Sequence, residues 1–235
     1  MDALVMCGGR GTRLRKADSS AGSDATPLNG AGDTDGTPPN GASDANATPP
    51  DVEKPLVEIC GRSMLARVVD ALTASSLDGT IHAVVSPQAP ATAERVADLP
   101  ASVVETPGEG YVSDLRSALT SVGRPALTVP ADLPLLAPEH VDDALTRAGA
   151  TSGRADAGAE DVEVTSLTVC VPAVLKQRLG ASVDTTFELA GRTIAPTGLN
   201  VVVGDDDTVA LTYDARLAVN VNRPGDVSLA EALCE

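Results

Sequence analysis

Aromatic residues are almost absent from this 235-residue chain, which has no tryptophan, one phenylalanine and two tyrosines. The core must therefore be built from Val, Leu, Ile and Ala, and a bound nucleobase can expect little stacking. Long apolar runs are also missing, since no stretch approaches the roughly 20 residues that a membrane-spanning helix needs. Because the chain opens on a strand-like segment instead of a signal peptide, we expect a cytoplasmic protein with no membrane partner.

Closely spaced cysteine pairs are absent as well. The four cysteines are far apart, and none forms a Cys-x-x-Cys pair. This spacing argues against a zinc site and against a redox couple. Because they lie among Val, Ile and Leu, we expect buried free thiols at Cys7, Cys60, Cys170 and Cys234.

Lysine is scarce, and acidic residues dominate the charge. The formal charge is −16, with 33 acids against 14 arginines and only three lysines. Nucleic acid is therefore not an expected partner. Acids spread over the whole chain, with Arg favoured over Lys, resemble the proteins of salt-loving archaea, whose high salt screens the self-repulsion.

The most informative stretch that is present is MCGGRGTRL, residues 6–14, which follows the apolar run Ala3 to Val5. A strand that leads into closely spaced glycines predicts a loop whose backbone N–H groups can approach an anion. Guanidinium groups beside those amides suit phosphate oxygens. The residues that we expect around a phosphate are therefore Gly8, Gly9, Arg10, Gly11, Thr12 and Arg13.

Two better-known phosphate loops do not fit this stretch. A Walker loop would need a glycine, then any four residues, then Gly-Lys-Ser/Thr, and that string does not occur in the chain. A dinucleotide fingerprint would need a further glycine where Leu14 stands. A simple glycine turn with solvated arginines remains the structural alternative.

Residues 17–51 interrupt the pattern. They contain six Asp and no basic residue, and Leu28 is their only large apolar side chain. Such a segment cannot bury enough apolar surface to offset its ordering entropy, so we predict a disordered insertion within a single domain spanning residues 1–235. Lengthening a loop from about six to about forty residues costs under about 2 kcal/mol, so the elements on either side can still meet.

Strands and helices alternate along the rest of the chain. Buried strand patterns at Ile81 to Val85 and Ala126 to Val129 flank a helical pattern at Tyr111 to Val122. This alternation predicts an α/β, Rossmann-like fold, a mostly parallel sheet with helices on both faces. Further strands at 200–203 and 219–221 predict a mixed C-terminal portion.

Ligands of an open parallel sheet collect beyond the carboxyl ends of its strands. Asp132 follows a buried strand and precedes Leu133-Pro134-Leu135-Leu136, where a carboxylate without a ligand would be poorly solvated. It is the strongest candidate for a metal, with a helix-capping aspartate as the alternative. The other segments that fall at strand ends are the glycine loop, Ser86, 108–110 and 220–222.

The strings GGRGTRL, EKPL, ADLPLL and NVNRPGD together resemble the nucleotidyltransferases of the molybdenum-cofactor guanylyltransferase type. The resemblance implies a nucleoside triphosphate in the glycine loop, with Lys54 among its phosphates. It also implies that Asp132 binds Mg²⁺, an ion that prefers one or two carboxylates plus substrate phosphates. For the second metal ligand, Asn222 is preferred over Asn220.

A wider set of strings extends the resemblance to the archaeal adenosylcobinamide-phosphate guanylyltransferases, over nearly the whole chain except residues 17–51. These strings are MDALVMCGGRGTRL, EKPLVEICGRSML, SPQAPAT, ETPGEGYVSDLRSAL and TGLNVV. The resemblance implies GTP and adenosylcobinamide phosphate as substrates, with catalytic roles for Arg13, Lys54 and Asp132. The residues expected beside the nucleotide include Ser86, Gly108, Gly110 and Gly198.

Two other functions stay open. A molybdenum-cofactor guanylyltransferase, or another sugar- or cofactor-phosphate nucleotidyltransferase, would share the fold and differ in its acceptor. A non-catalytic GTP-binding regulatory protein would keep the loop, although intact Lys54 and Asp132 argue against it. The oligomeric state is also open, with a homodimer as one alternative.

Overall fold

The computed structural model describes residues 1–8, 14, 52–150, 163–204 and 207–234. The predicted insertion at 17–51 lies outside these residues. The strands are β1 (Asp2–Met6), β2 (Glu58–Ile59), β3 (Arg62–Ser63), β4 (Ile81–Val85), β5 (Ser102–Glu105), β6 (Ala126–Pro130), β7 (Leu167–Pro172), β8 (Phe187–Leu189), β9 (Arg192–Val202) and β10 (Thr208–Leu211). The helices are α1 (Met64–Ala74), α2 (Pro90–Val96), α3 (Tyr111–Val122), α4 (Pro138–Arg147), α5 (Ala173–Leu179) and α6 (Pro224–Ala232), and short 3₁₀ turns span Lys54–Leu56 and Ala215–Ala218.

One large sheet organises the molecule. Its strand order is β10-β7-β9-β6-β1-β4-β5, and β8 pairs with β9. Strands β6, β1, β4 and β5 run parallel to one another, as do β10 and β7, whereas β9 runs antiparallel to β6, β7 and β8. The predicted mostly parallel sheet with a mixed C-terminal portion is confirmed.

Strand β1 lies in the middle of this sheet and sends alternate side chains to its two faces. Ala3 and Val5 pack into a large core cluster with buried residues of α1, α2 and α4. Leu4 and Met6 pack on the other face, against Ala118 and Leu119 of α3. Helices therefore cover both faces, as the alternating pattern predicts.

The prediction of a strand at 219–221 is wrong. Val219 and Val221 are fully buried, but they belong to a third core cluster with Ile59 and Met64 instead of pairing in the sheet. The backbone N–H of Val221 donates to the carbonyl of Asp132 at 2.8 Å. A β-branched run thus marks a buried loop here, because its backbone groups are satisfied by another loop.

The cysteine expectation holds for two of the four residues. Cys7 and Cys170 are buried free thiols, whereas the sulfurs of Cys60 and Cys234 are joined in a disulfide. Cys60 lies exposed in the turn between β2 and β3, and Cys234 follows α6, which packs on that hairpin through the third core cluster. The prediction of a buried free thiol at Cys60 was wrong because its apolar sequence neighbours belong to the packed elements on either side of an exposed turn.

No helix in the part of the chain that the structure describes is long and apolar enough to cross a membrane.

Candidate functional site

A cluster of polar side chains forms where β1 and β6 end. Lys54 Nζ donates a hydrogen bond to Asp132 Oδ2 at 2.5 Å and another to Asn222 Oδ1 at 2.7 Å. Asn220 Nδ2 donates to Asp132 Oδ1 at 3.2 Å and to the carbonyl of Thr197 at 2.9 Å. The two oxygens of one carboxylate thus bind an ammonium and an amide from different parts of the chain.

The turn after β6 fixes Asp132. The N–H of Ala131 donates to the carbonyl of Met6 at 3.0 Å, which ties this turn to the end of β1. On the other side, the carbonyl of Asp132 accepts from Val221. Asp226, near the start of α6, accepts from the N–H of Asn222 at 2.9 Å. Residues 220–222, the asparagine segment, are therefore held against the aspartate turn by one backbone hydrogen bond and against α6 by the Asp226 carboxylate.

Lys54 is held by its neighbour in the EKPL string. The carboxylate of Glu53 accepts from the N–H of Ala91 at 2.9 Å, from the N–H of Thr92 at 2.7 Å and from the Thr92 hydroxyl at 2.6 Å. These donors lie in the first turn of α2, where unpaired N–H groups favour a negative charge. Sequence reasoning missed this role of Glu53, because its partners lie 38 and 39 residues further along the chain.

A first cavity of about 360 Å³ opens above the ends of β1, β4 and β5. Its most buried charged group is Asp114, which is 4% exposed and accepts from the N–H of Gly108 at 2.9 Å. The other Asp114 oxygen would lie 3.7 Å from a Cβ added to Gly8. Asp114 is therefore a further candidate ligand-binding residue, and sequence reasoning missed it. The predicted residues that line this cavity are Gly8, Ser86, Gly108 and Gly110.

A second cavity of about 430 Å³ lies over β6, β7 and β9. Its lining includes Asp132, Asn220 and Asn222 from the polar cluster, together with Gly198. Both cavities are lined by Met6, Gly8 and Tyr111, so they are neighbours in one crevice along the strand ends. The pKa of Tyr111 is raised by burial and, less strongly, by the Asp132 carboxylate.

A buried lysine that sequence reasoning missed also lines the second cavity. Lys176 of α5 is 4% exposed, and its Nζ donates to Asn220 Oδ1 at 3.0 Å. Burial lowers its pKa, and the nearby carboxylates of Asp226, Asp132 and Asp184 oppose that shift. In the string AVLKQRL, this lysine resembles an exposed residue of a short amphipathic helix, so the sequence carries no local signal for its burial.

The predicted site residues that the structure describes fall into three groups. Lys54, Asp132 and Asn222 meet in the polar cluster, four glycine and serine residues line the first cavity, and Gly198 lines the second cavity together with Asp132. The remaining predicted residues lie outside the described part of the chain: Gly9, Arg10, Gly11, Thr12 and Arg13.

The oxygen atoms of the polar cluster are of the kind that bind a magnesium ion. Asp132 Oδ2 and Asn222 Oδ1 converge on a single cation, the Lys54 ammonium. Within the described ranges, no group of three His, Cys, Asp or Glu side chains forms a closed metal cage. One carboxylate and one amide oxygen, completed by water and substrate phosphate, match what Mg²⁺ accepts in nucleotide sites.

The chain matches the MobA-like NTP transferase domain over residues 48–191, which is more than half of its length. It belongs to that family. Lys54, Asp132 and Lys176 lie within the matched region of this MobA-like nucleotidyltransferase, whereas the glycine loop and the asparagine segment lie outside it.

The chain is also similar to the adenosylcobinamide-phosphate guanylyltransferase of Methanocaldococcus jannaschii. The two are 26% identical over 99% of this chain and 97% of that relative. The resemblance that the sequence strings indicate is thus found over nearly the whole length.

Two solved nucleotidyltransferases have a similar fold. The CTP:phosphocholine cytidylyltransferase of Streptococcus pneumoniae superposes with a TM-score of 0.59 at 9% identity, covering 100% of this chain and 99% of its own. A nucleotidyl transferase from Methanothermobacter gives a TM-score of 0.54 at 14% identity, covering 96% and 93%. At such identities these likenesses bear on the fold alone.

Proposed function

We propose that this MobA-like nucleotidyltransferase transfers GMP from GTP to adenosylcobinamide phosphate, giving adenosylcobinamide-GDP and pyrophosphate. The full-length similarity to the guanylyltransferase of that name supports the choice of substrates. The observation that carries the proposal is the meeting of Lys54, Asp132 and Asn222 at the strand ends, beside two adjacent cavities. A cytoplasmic location is part of the proposal, because nucleoside triphosphates are available there.

The reaction balances without redox chemistry or a protein base. An oxygen of the acceptor phosphate forms a bond to the α-phosphorus of GTP, and the bond from that phosphorus to the oxygen bridging to the β-phosphate breaks. Pyrophosphate leaves with the bonding electrons. The acceptor phosphate is ionised at neutral pH, so no proton needs to be removed from it. Catalysis then depends on positioning and on compensating negative charge.

Lys54 and the glycine loop are assigned to the phosphates of GTP. Lys54 is anchored through Glu53 to the start of α2, which limits where its ammonium can reach. Gly8 lines both cavities, so its backbone lies where the nucleotide and the acceptor would meet. From the sequence, Arg13 is expected to add a guanidinium to the leaving pyrophosphate.

Asp132 and Asn222 would hold Mg²⁺ as the cofactor. When bound, the ion would compensate negative charge that develops on the phosphate oxygens. Asn222 is favoured over Asn220 because its oxygen shares Lys54 with Asp132, whereas Asn220 presents an N–H to that carboxylate. Since Lys54 Nζ lies between the two oxygens, ion binding requires the ammonium to leave that position, which frees its N–H donors for phosphate.

The nucleoside is assigned to the first cavity and the acceptor to the second. The lining of the first cavity includes Gly108, Glu109 and Gly110 and the buried carboxylate of Asp114. It contains one aromatic ring, Tyr111, at the boundary with the second cavity. Recognition of guanine would therefore depend on hydrogen bonds more than on stacking, as the scarcity of aromatics predicts.

An acceptor panel tests the proposal. Each reaction contains the protein, GTP, Mg²⁺ and one acceptor, which is adenosylcobinamide phosphate, molybdopterin or a sugar phosphate. Pyrophosphate release is recorded in each reaction. We expect release with adenosylcobinamide phosphate and little with the others. Release with molybdopterin alone would favour the molybdenum-cofactor reaction. No release with any acceptor, despite GTP binding, would favour a non-catalytic GTP-binding protein.

A further inference from the structure

We propose that Lys176 binds the phosphate group of the acceptor substrate and that the second cavity is the acceptor site. This inference rests on the proposed function, because it takes the attacking group to be a phosphomonoester. It assigns a substrate-binding role to a residue that lies 44 positions from the asparagine it contacts, in a helix that no phosphate motif includes.

Charge is the first reason. Among the described residues that line the second cavity, Lys176 is the only cation, and its charged companions there are Asp132 and Asp184. Both carboxylates already have cationic partners, since Asp132 pairs with Lys54 and Asp184 pairs with Arg223. Within the described residues, Lys176 forms no such ion pair and contacts the neutral Asn220, so its ammonium is available to a phosphate dianion. A buried ammonium attracts that dianion more strongly than an exposed one because solvent screens it less.

The unused hydrogen-bonding capacity of Lys176 is the second reason. An ammonium has three N–H donors, and lysine is almost never fully buried without partners. Within the described ranges, Lys176 Nζ has one hydrogen-bond acceptor, Asn220 Oδ1. Burying donors without acceptors is costly, so the remaining N–H groups call for oxygen atoms that a ligand would supply.

Asn220 sets the position of Lys176 relative to the polar cluster. Its amide nitrogen donates to Asp132 Oδ1 and to the carbonyl of Thr197, which leaves its oxygen for Lys176. A chain of hydrogen bonds therefore runs from Lys54 through Asp132 and Asn220 to Lys176. The two ammonium groups are connected through different oxygens of one carboxylate.

This arrangement matches the needs of a displacement at phosphorus. The attacking and leaving oxygens lie roughly in line on opposite sides of the phosphorus, and both sides carry negative charge. Lys54, assigned to the phosphates of GTP, serves the leaving pyrophosphate, and Lys176 serves the incoming phosphate. The new bond forms between an acceptor phosphate oxygen held by Lys176 and the α-phosphorus.

A purely structural role is the competing explanation, in which Lys176 only orders Asn220 and neutralises Asp226. Such a role predicts that loss of the ammonium disturbs folding or nucleotide binding as much as acceptor binding. The test therefore compares Lys176→Met with Arg178→Met. Arg178 is an exposed residue of the same helix, so its replacement removes an equal charge outside the cavity.

The first measurement does not depend on the identity of the acceptor. Inorganic phosphate is titrated calorimetrically into protein saturated with Mg²⁺ and guanosine α,β-methylene triphosphate, an analogue that cannot be cleaved at the α-phosphorus. We expect phosphate to bind Lys176→Met at least about tenfold more weakly than wild type or Arg178→Met, the scale of losing a charged hydrogen bond. Affinity for the analogue should not change.

Either of two results overturns the proposal: phosphate affinity in Lys176→Met equal to that of the wild type, or no phosphate binding by the analogue-saturated wild type.

If Lys176→Met does not fold, as judged by circular dichroism, the wild type is compared with Lys176→Arg instead. Because the pKa of Lys176 lies below its usual value, phosphate affinity of the wild type should fall at high pH. Lys176→Arg should keep its affinity there, since arginine stays charged. The same fall in both proteins would also overturn the proposal.

Steady-state kinetics separate this inference from the proposed function. With adenosylcobinamide phosphate, Lys176→Met should raise the acceptor KM at least about tenfold and leave the GTP KM unchanged. An unchanged acceptor KM would overturn the role of Lys176 and leave the proposed function intact. If the wild type does not use this acceptor, the proposed function fails, and the phosphate titration still decides whether Lys176 binds phosphate.

Discussion

Lys54 and Asp132 stand 78 residues apart in the chain, yet Lys54 Nζ lies 2.5 Å from Asp132 Oδ2. The two side chains are 15% and 19% exposed, so water screens their interaction only in part. Removing one partner of such a pair leaves the other with an uncompensated charge. The pair therefore links the EKPL segment to the strand end that carries the candidate metal ligand.

Loss of either partner should reduce catalysis strongly. We expect Lys54→Ala and Asp132→Ala each to lower guanylyl transfer by at least about a hundredfold, the scale of one preorganised electrostatic contact. Arg62→Ala is the matched control, because it removes a solvent-exposed ion pair with Asp70. Pyrophosphate release under saturating substrates measures the effect. A near-wild-type rate in either site variant would contradict its assigned role.

Glu53 should matter for both stability and activity. Its carboxylate accepts three hydrogen bonds from the first turn of α2, so Glu53→Ala should destabilise the protein by about 1–2 kcal/mol, as loss of a helix cap does. Activity should fall as well, because Lys54 loses its anchor. The control is Glu58→Ala, at an exposed position of β2. Urea unfolding of both variants decides, and equal midpoints would refute the anchoring role.

Gly198 should not tolerate a side chain. Its φ of +90° lies in the left-handed region, and an added Cβ would lie 2.7 Å from two ring carbons of Pro130. We expect Gly198→Ala to cost about 1–3 kcal/mol of folding stability and to reshape the second cavity. Gly225→Ala is the control, since open space surrounds that position. A thermal unfolding midpoint for Gly198→Ala equal to that of the control would show that the strand can adapt.

Salt should stabilise the fold. The formal charge of −16 and the three lysines leave little internal compensation for the acidic residues. Screening of their repulsion should raise the melting temperature between low and molar KCl. Scanning calorimetry across that range provides the measurement, with sucrose as a non-ionic control. A melting temperature that fell with KCl would contradict the halophilic interpretation.

Local sequence signals predicted the parts of the fold whose boundaries are set by local chemistry. Helix α3 has its predicted bounds because Gly110 and Gly123, both at positive φ, stand at its two ends. The candidate role of Asp132 was likewise visible from its apolar neighbours. The segment 219–221 could not be predicted correctly, because its burial depends on backbone bonding to a distant turn.

The residues that sequence reasoning missed share a different property. Lys176 is buried in a helix that packs where Asn220 can accept a hydrogen bond from its ammonium, and Glu53 acts through donors 38 and 39 residues away. Such long-range partners leave no periodic or spacing signal in the chain. They become visible only when the elements that carry them are placed together.

The most direct test of guanylyl transfer by this protein is to follow the α-phosphate of GTP. Protein, Mg²⁺, adenosylcobinamide phosphate and GTP labelled at the α-phosphorus are mixed in a single turnover, and the products are separated and identified by mass spectrometry. If GMP is transferred as proposed, the label appears in adenosylcobinamide-GDP while unlabelled pyrophosphate is released in equal amount. Label that stays in GTP, or appears as free GMP, would contradict it.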